Sequence, residues 1–483
     1  GRGRVLATAA SMNLASGIAT FTGAGQMENT DSETATPLPA RDVEPRPVAS
    51  AASRSIAWKD SALLRFKPDN RPGSNADPSV LEFASFKGSV TASGGGSSIT
   101  ADAVDASFVQ APGAEQPSLS VVTLTGRTKG ADSKGGTLAA DRVEVRFSPP
   151  LSGSASNEAV AQSLLARGNV VASSKGSTLQ ADALDAALST DATPEANLGV
   201  TIAHAKGAVR FSRADGTRAE SDELIADVPN QQAQLAGPVV VLAKGDSAVT
   251  GERMRLDGTT GRLEVVGPGV FQHEGKTKDG EPRLASARWT GPDASMTFED
   301  STGVLEATSP NGRTVAEAMP DARTIDKLEA AFVRVLLTPS PADALANDRE
   351  VLSVVATAAS EANASPTPTP TTTPAVVKVE SRRYAAAITD LDEGDKKPAL
   401  ERLLYLESTR VEADNAKGTV HVPAPGKLFV LAGKDAKAAD AAGRTAADRS
   451  AALAADLAAS TTPDSARLDR SRSLFHWNGT MTM

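Results

Sequence analysis

At 483 residues the chain is long enough to bury several cores, but its 12 Phe, 3 Trp and 2 Tyr leave those cores to be built mainly from Ala, Val and Leu. Fifty Lys and Arg against 59 Asp and Glu give a net charge of −9 with no basic block, which excludes the electrostatic footprint of a nucleic-acid binder. The absence of cysteine excludes disulfide frameworks and thiolate metal sites, and no apolar run approaches the roughly 18 residues of a membrane-spanning helix.

In chain order, the first signature is a nine-residue segment with Gly at both ends and alternating apolar residues between, GIATFTGAG from Gly17 to Gly25. It returns as GRLEVVGPG (Gly261 to Gly269) and GTVHVPAPG (Gly418 to Gly426), and a Trp follows each copy in a matching frame: Trp58, Trp289 and Trp477. Three larger units are therefore expected. Between Gly25 and Trp58, the Pro, Ala and Glu-rich stretch Glu28 to Ser53 reads as an exposed loop.

A second, shorter repeat fills the first half of the chain. Its skeleton is a Gly two residues before a usually apolar position, a small-residue turn, then an acid near the start of the next run. Gly88, Gly126, Gly168, Gly207 and Gly237 lead the copies, and Asp102, Asp141, Asp182, Asp222 and Glu252 follow at offsets of 14, 15, 14, 15 and 15 residues. The copies begin 38, 42, 39 and 30 residues apart, so the variation falls between units, as surface loops tolerate.

Inside each copy apolar residues alternate, as at Phe86, Val90 and Ala92 or at Ala205, Val209 and Phe211, and a period of two predicts strands. The period slips at each acid: Leu179 and Ala181 share one face, whereas Leu184, Ala186 and Leu188 share the other. A slip repeated at Asp102, Asp141, Asp182, Asp222 and Glu252 predicts a bulge or corner. SGGGS (Ser93 to Ser97), DSKGG (Asp132 to Gly136), SSKGS (Ser173 to Ser177), RADGT (Arg213 to Thr217) and KGDS (Lys244 to Ser247) then read as hairpin turns. Each unit is a bent antiparallel hairpin.

Residues 311 to 410 interrupt the pattern. Ile325 to Leu337 reads as a strand pair or a short helix, Ala342 to Ala362 has helical composition, and Pro366 to Pro374 is extended linker. Strand character resumes with VVKVES (Val376 to Ser381) and with LLYLESTRVEAD (Leu403 to Asp414), and an Ala-rich insert at 434–460 suits a surface helix. The expected organisation is a partial unit at 1–66 with its loop at 28–53, a main β-repeat array at 80–300, an insert and Pro/Thr-rich linker at 301–402, and a further unit at 403–483. The chain opens on Gly1 and closes inside a strand-like pattern, WNGTMTM, so a fragment is expected whose targeting segment lies outside it.

Chemistry is sparse. A ladder of the repeated Asp residues suggests Ca²⁺, but a single carboxylate per layer fits a strand corner better, since Ca²⁺ takes six or more oxygens. His204, His273, His421 and His476 share no spacing, and no nucleophile elbow, P-loop or dinucleotide fingerprint is present. No enzyme, cofactor or metal is expected. The leading glycines read either as bends or as room left in an apolar interior, and the Phe residues either as ordinary core or as lipid contacts.

The repeated G-x-V, turn, A-D-x-[LV] pattern with its GxLxVxGxG close resembles the OstA-like (LptA-type) periplasmic lipopolysaccharide transport proteins and the related amino-terminal domain of the outer-membrane assembly partner. The resemblance covers residues 1 to about 300 and 405 to 483. It implies an all-β, elongated, bent antiparallel β-jellyroll, open along one side, whose apolar interior holds acyl chains; the disordered or helical inserts read from composition depart from the family. The inward positions it assigns to lipid are Phe86, Val90, Val104, Phe108, Val170, Leu184, Val209, Phe211, Leu224, Val239, Met254 and Phe271.

On this reading the partners are lipopolysaccharide or a similar acylated glycolipid, and other OstA-like envelope proteins joined by end-to-end strand pairing, in the periplasm or at the outer membrane. The chain is longer than a single bridging domain and carries inserts, which sets against this a structural β-repeat scaffold that holds protein partners by strand addition. A polysaccharide-active β-helix would need a solvent-facing stripe of carboxylates and aromatics, and an outer-membrane barrel longer strands with aromatic girdles. Neither pattern is present.

Overall fold

A computed structural model describes residues 2–30, 53–68, 78–110, 117–148, 159–189, 199–276, 282–338, 351–358, 376–386, 388, 399–432 and 472–483. Most of the Glu28 to Ser53 loop, all of Pro366 to Pro374 and all of the 434–460 insert lie outside the described residues. Within them the protein is all-β, every strand pairing is antiparallel, and two compact units are distinguished: residues 1–214 with 222–229, and residues 215–221 with 230–483.

The first unit holds β1 (Arg2–Asn13), β2 (Ile18–Thr30), β3 (Ser53–Trp58), β4 (Ser61–Pro68), β5 (Pro78–Gly94), β6 (Ser97–Val109), β7 (Ser118–Ala131), β8 (Thr137–Ser148), β9 (Val160–Ser174), β10 (Ser177–Leu188) and β11 (Val200–Arg213). β12 (Arg218–Asp227) is divided between the units. Consecutive long strands from β5 to β11 pair in order. The expected turns join them: Gly95 and Gly96 between β5 and β6, residues 132–136 between β7 and β8, Lys175 and Gly176 between β9 and β10.

Each long strand bends once. At Gly88-Ser89, Gly126-Arg127, Gly168-Asn169 and Gly207-Ala208 two consecutive residues have positive φ, from 72 to 85° at the glycine and 43 to 48° at its successor. Only glycine takes the first of these without steric cost. The pairing register skips at the same points, between Lys87 and Val90, Thr125 and Thr128, and Gln180 and Ala183. Two residues on the Gly strand there oppose Asp102 alone, which is why the apolar period slips at the acid.

The glycines have a second constraint. A Cβ on Gly126, Gly168 or Gly207 would stand 2.8 to 2.9 Å from Cγ of Asp102, Asp141 or Asp182 respectively. Each acid thus fills the space of the glycine on the next strand, and the residue after that glycine adds a polar contact where it can: Arg127 Nη2 donates to Asp102 Oδ1 at 2.8 Å and Asn169 Nδ2 to Asp141 Oδ2 at 2.9 Å. The reading that these glycines leave room for a ligand is overturned, because a carboxylate occupies that volume.

The second unit begins with β13 (Gln232–Lys244), β14 (Ser247–Asp257) and β15 (Arg262–Lys276). Beyond β15 the bend becomes a break, and each bent strand is replaced by two short ones. One ladder runs β15, β16 (Pro282–Trp289), β19 (Thr314–Asp321), β20 (Thr324–Ala330), β23 (Val377–Tyr384), β24 (Leu400–Ser408), β27 (Gly426–Ala432), β28 (Arg472–Trp477). The other runs β15, β17 (Ser295–Glu299), β18 (Val304–Thr308), β21 (Phe332–Leu337), β22 (Val351–Thr357), β25 (Arg410–Asp414), β26 (Thr419–Val422), β29 (Met481–Thr482).

A core of Ala330, Val377, Leu406 and Leu428 from the first ladder and Val333, Ala356, Val411 and Val422 from the second joins the two faces, the arrangement of a bent β-jellyroll. Strands therefore run through the stretch expected to interrupt the array. Ile325 to Leu337 is strand in both ladders, and Val351–Thr357, inside the stretch of helical composition, is strand as well. Its VLSVVAT sequence is rich in β-branched residues, and pairing with β21 and β25 outweighs the flanking alanines.

Candidate functional site

Register turns the alternation of single strands into continuous apolar rows across the first unit. The central row passes through Ala10, Phe21, Ala62, Phe86, Val104, Leu124, Val143, Ala166, Leu184 and Ala205, each paired with the next. From Ala62 onward every member is buried. On the same face beyond the corners, a parallel row passes through Val5, Met27, Ile56, Ala92, Ile99, Gly130, Leu138, Ala172, Leu179 and Phe211. From Met27 onward its members are only half-buried.

Of the residues assigned to this interior in the first unit, Phe86, Val104 and Leu184 lie on the central row. Val90, Val170 and Val209 sit directly after the corners and are at most 2% exposed. Leu224 is buried, while Phe108, opposite Leu119, and Phe211, on the second row, are half-buried. In the second unit Met254 is buried between Leu235 and Val265, and Phe271 is half-buried between Val249 and Ala287.

Val239 does not point inward. It is 65% exposed, and its neighbour Val240 is fully buried in the place expected for it. The physical reason is Pro238, which has no N–H for the ladder: three residues, Gly237 to Val239, oppose Glu252 alone, where two residues oppose one acid at Gly88, Gly126 and Gly168, and the extra residue moves the inward position on by one.

Sequence reasoning missed Leu124, Val143 and Ala166. Ala carries no signal in a chain so rich in it, and only the partners across the sheet show that Ala166 lies between Val143 and Leu184.

The opposite face of the same strands is charged. Arg146 and Arg142 pair with Glu144 at 2.9 and 3.8 Å, Arg167 pairs with Asp185, and His204 Nε2 lies 2.5 Å from Glu223 Oε1. The His204 hydrogen bond holds the Glu223 carboxyl below its ordinary range. These exposed pairs contribute little stability, but they fix which face meets water. Among the described residues no group of three or more His, Asp or Glu is placed to hold a metal ion.

The three Trp residues occupy one kind of station. Gly25, Gly269 and Gly426 stand directly opposite Trp58, Trp289 and Trp477, and a Cβ on these glycines would fall 2.5 to 2.8 Å from atoms of the indole rings. Trp289 and Trp477 donate their indole N–H to the carbonyls of Gly267 and Ala424 at 3.0 and 2.8 Å. Each closes a bend at which one strand is split into two.

Compared with known proteins, residues 151–262 match the family model described as LptA/(LptD N-terminal domain) LPS transport protein. That segment contains the hairpin of β9 and β10, β11, and the strands through β14. No curated protein matches the chain.

Proposed function

We propose, from the LPS-transport family match over residues 151–262, that the protein binds the acyl chains of lipopolysaccharide or a similar glycolipid and carries them within the cell envelope without chemical reaction. The observation that supports this best is the half-buried row from Met27 to Phe211. It lies beside a central row that is buried from Ala62 onward and adds apolar surface that the protein's own side chains only half cover. Each methylene moved from water onto such a surface contributes about 0.8 kcal/mol, so a single acyl chain suffices for capture while sugars remain in water.

The edge of β1 supports joining to other OstA-like envelope proteins by strand addition. Among the described residues β1 pairs with β2 alone, and Val5 of the half-buried row is 41% exposed and Met12, on the same face as Ala10 of the central row, 56%. Such an edge, apolar where the interior rows meet it, matches a partner strand with the same inward pattern. The periplasm or the outer membrane is the compartment this role requires.

Protein purified from a lipopolysaccharide-producing host, extracted with organic solvent and examined by mass spectrometry, should carry acylated glycolipid at about one per chain. Val209→Asp should carry none. Because Val209 is buried, Leu179→Gln on the half-buried row is the second variant, expected to lower the bound lipid while leaving the β-sheet circular dichroism intact. Lipid-free wild-type protein with a native spectrum would instead favour the scaffold.

A further inference from the structure

In the second unit an apolar cluster is buried on the outside of the sheet. Leu404 and Leu406 of β24, with Leu428 and Val430 of β27, point into the core that the two ladders share. Leu403 and Tyr405, and Phe429 and Leu431, alternate with them and take the opposite face, where Leu403 stands against Leu431 and Tyr405 against Phe429. All four are at most 3% exposed, and they cluster with Tyr384 and Leu400. The outer face of the first unit, by contrast, carries the exposed Arg142 and Arg167.

The described apolar residues packed against this cluster are Ile325, Ile388 and Leu474. Ile325 and Leu474 lie in the same face, on rows that run Ile325, Arg382, Leu403, Leu431 and Tyr405, Phe429, Leu474. Of the three, then, only Ile388 stands off the sheet. Burial peaks at β24 and β27, since Ile325 and Leu474 on the flanking strands are only half-buried. That is where the chain leaves β27: Leu431 pairs with Arg472, and residues 433–471 connect β27 to β28, where an ordinary hairpin needs roughly two to five residues. Within this connection Ala439, Ala442, Ala446, Ser450, Leu453 and Leu457 recur at intervals of three and four, and none of the charged residues between 436 and 460 falls on that stripe. In a helix the stripe is one apolar face.

We propose that residues 436–460 form an amphipathic helix docked on the outside of β24 and β27, with Leu453 and Leu457 set against Leu403, Tyr405, Phe429 and Leu431. A helix of this length is marginal alone in water and draws its stability from packing its apolar face; the outer cluster supplies the surface, and both ends of the connection start beside it. Such a helix needs no lipid, because it lies on the face turned away from the apolar interior.

Arg444 and Arg449 make the segment a substrate for trypsin wherever it is accessible. With cuts mapped by mass spectrometry, the wild-type chain should be cleaved at these two sites about tenfold or more slowly than a free peptide of residues 434–460. The L453D/L457D variant should lose that protection and bind anilinonaphthalene sulfonate as the outer cluster opens, while circular dichroism keeps its β-sheet signal. Ala455→Asp, on the opposite side of the helix, should behave as wild type. Wild-type cleavage as fast as that of the free peptide overturns the docking whatever the variants do, and so does a double variant cut no faster than Ala455→Asp. Protection that appears only at high protein concentration overturns it too, and assigns the face to a second copy of the chain.

Discussion

Asp182 fills the space that a side chain on Gly207 would take: a Cβ there would lie 2.8 Å from the Asp182 Cγ, on a residue whose φ is +76°. The two belong to successive strands, β10 and β11, and the same relation joins Asp102 to Gly126 and Asp141 to Gly168. The corner of the hairpin is thus built by two strands together, and a substitution at the glycine meets both a strained backbone and an occupied site.

Gly207→Ala should lower unfolding free energy by about 1–3 kcal/mol, the range for a strained backbone position, as read from the urea midpoint. Gly135→Ala, at φ +84° with open space around it, should cost less, roughly 1 kcal/mol. Adding Asp182→Ala to Gly207→Ala should recover part of the loss. Equal costs at the two glycines would show that the acid does not occupy the corner.

The wide break at Pro238 makes a sharper comparison between neighbours. Val240→Ala empties a fully buried position and should cost about 2 kcal/mol from lost methyl burial and the cavity left. Val239→Ala removes an exposed side chain and should fall within about 0.5 kcal/mol of wild type. The reverse order in chemical denaturation would restore Val239 to the interior.

Trp289 is fully buried, opposite Gly269, and hydrogen-bonded to the Gly267 carbonyl. Trp289→Ala should cost about 3–5 kcal/mol. Trp289→Phe should cost less but should still leave that carbonyl without its donor, a loss of about 1 kcal/mol. Gly269→Ala should be damaging too, since its Cβ would sit 2.6 Å from the Thr250 carbonyl oxygen and 2.8 Å from Trp289 Cε2. Thermal unfolding of the three variants checks the order.

Asp326, half-buried on β20, has its carboxyl raised above the ordinary 3.8 by burial, with the nearby Asp321 charge adding to the shift and a hydrogen bond involving Ser381 opposing it. The folded state therefore holds a proton that the unfolded chain releases earlier. Stability from this group is complete below pH 3.8 and declines as pH rises through the raised folded value. Asp326→Asn should gain stability relative to wild type as pH rises from 3.5 to 7, measured as a difference in melting temperature. A difference that does not change with pH would contradict the shift.

Much of the fold is legible in the sequence, because the signals are local. Alternation at Phe86, Val90 and Ala92 reads as strand, short Gly-bearing segments read as turns, and the slip at Asp182 reads as a corner. Each depends on the residue's own backbone preference or that of its neighbours. The stretch at Val351–Thr357 was obscured for the same reason: its flanking alanines carry a local helical preference, and the strand is held by pairing partners far along the chain.

The candidate interior was legible only in part. Leu184, Ala205 and Val209 announce themselves by period, whereas Ala166 becomes part of an apolar row only through register, and Val239 left it through one proline.

By itself, then, the sequence determined the all-β class, the turns and the existence of corners, since these follow from short-range sterics and a period of two. Tertiary structure alone decided that Asp182 belongs with the glycine of the following strand, that the rows run unbroken from β1 to β11, and that the bends open into two ladders beyond β15. Period tells which face a residue takes, but not which residue it faces. That choice is made between strands, by bulges and by packing across the sheet.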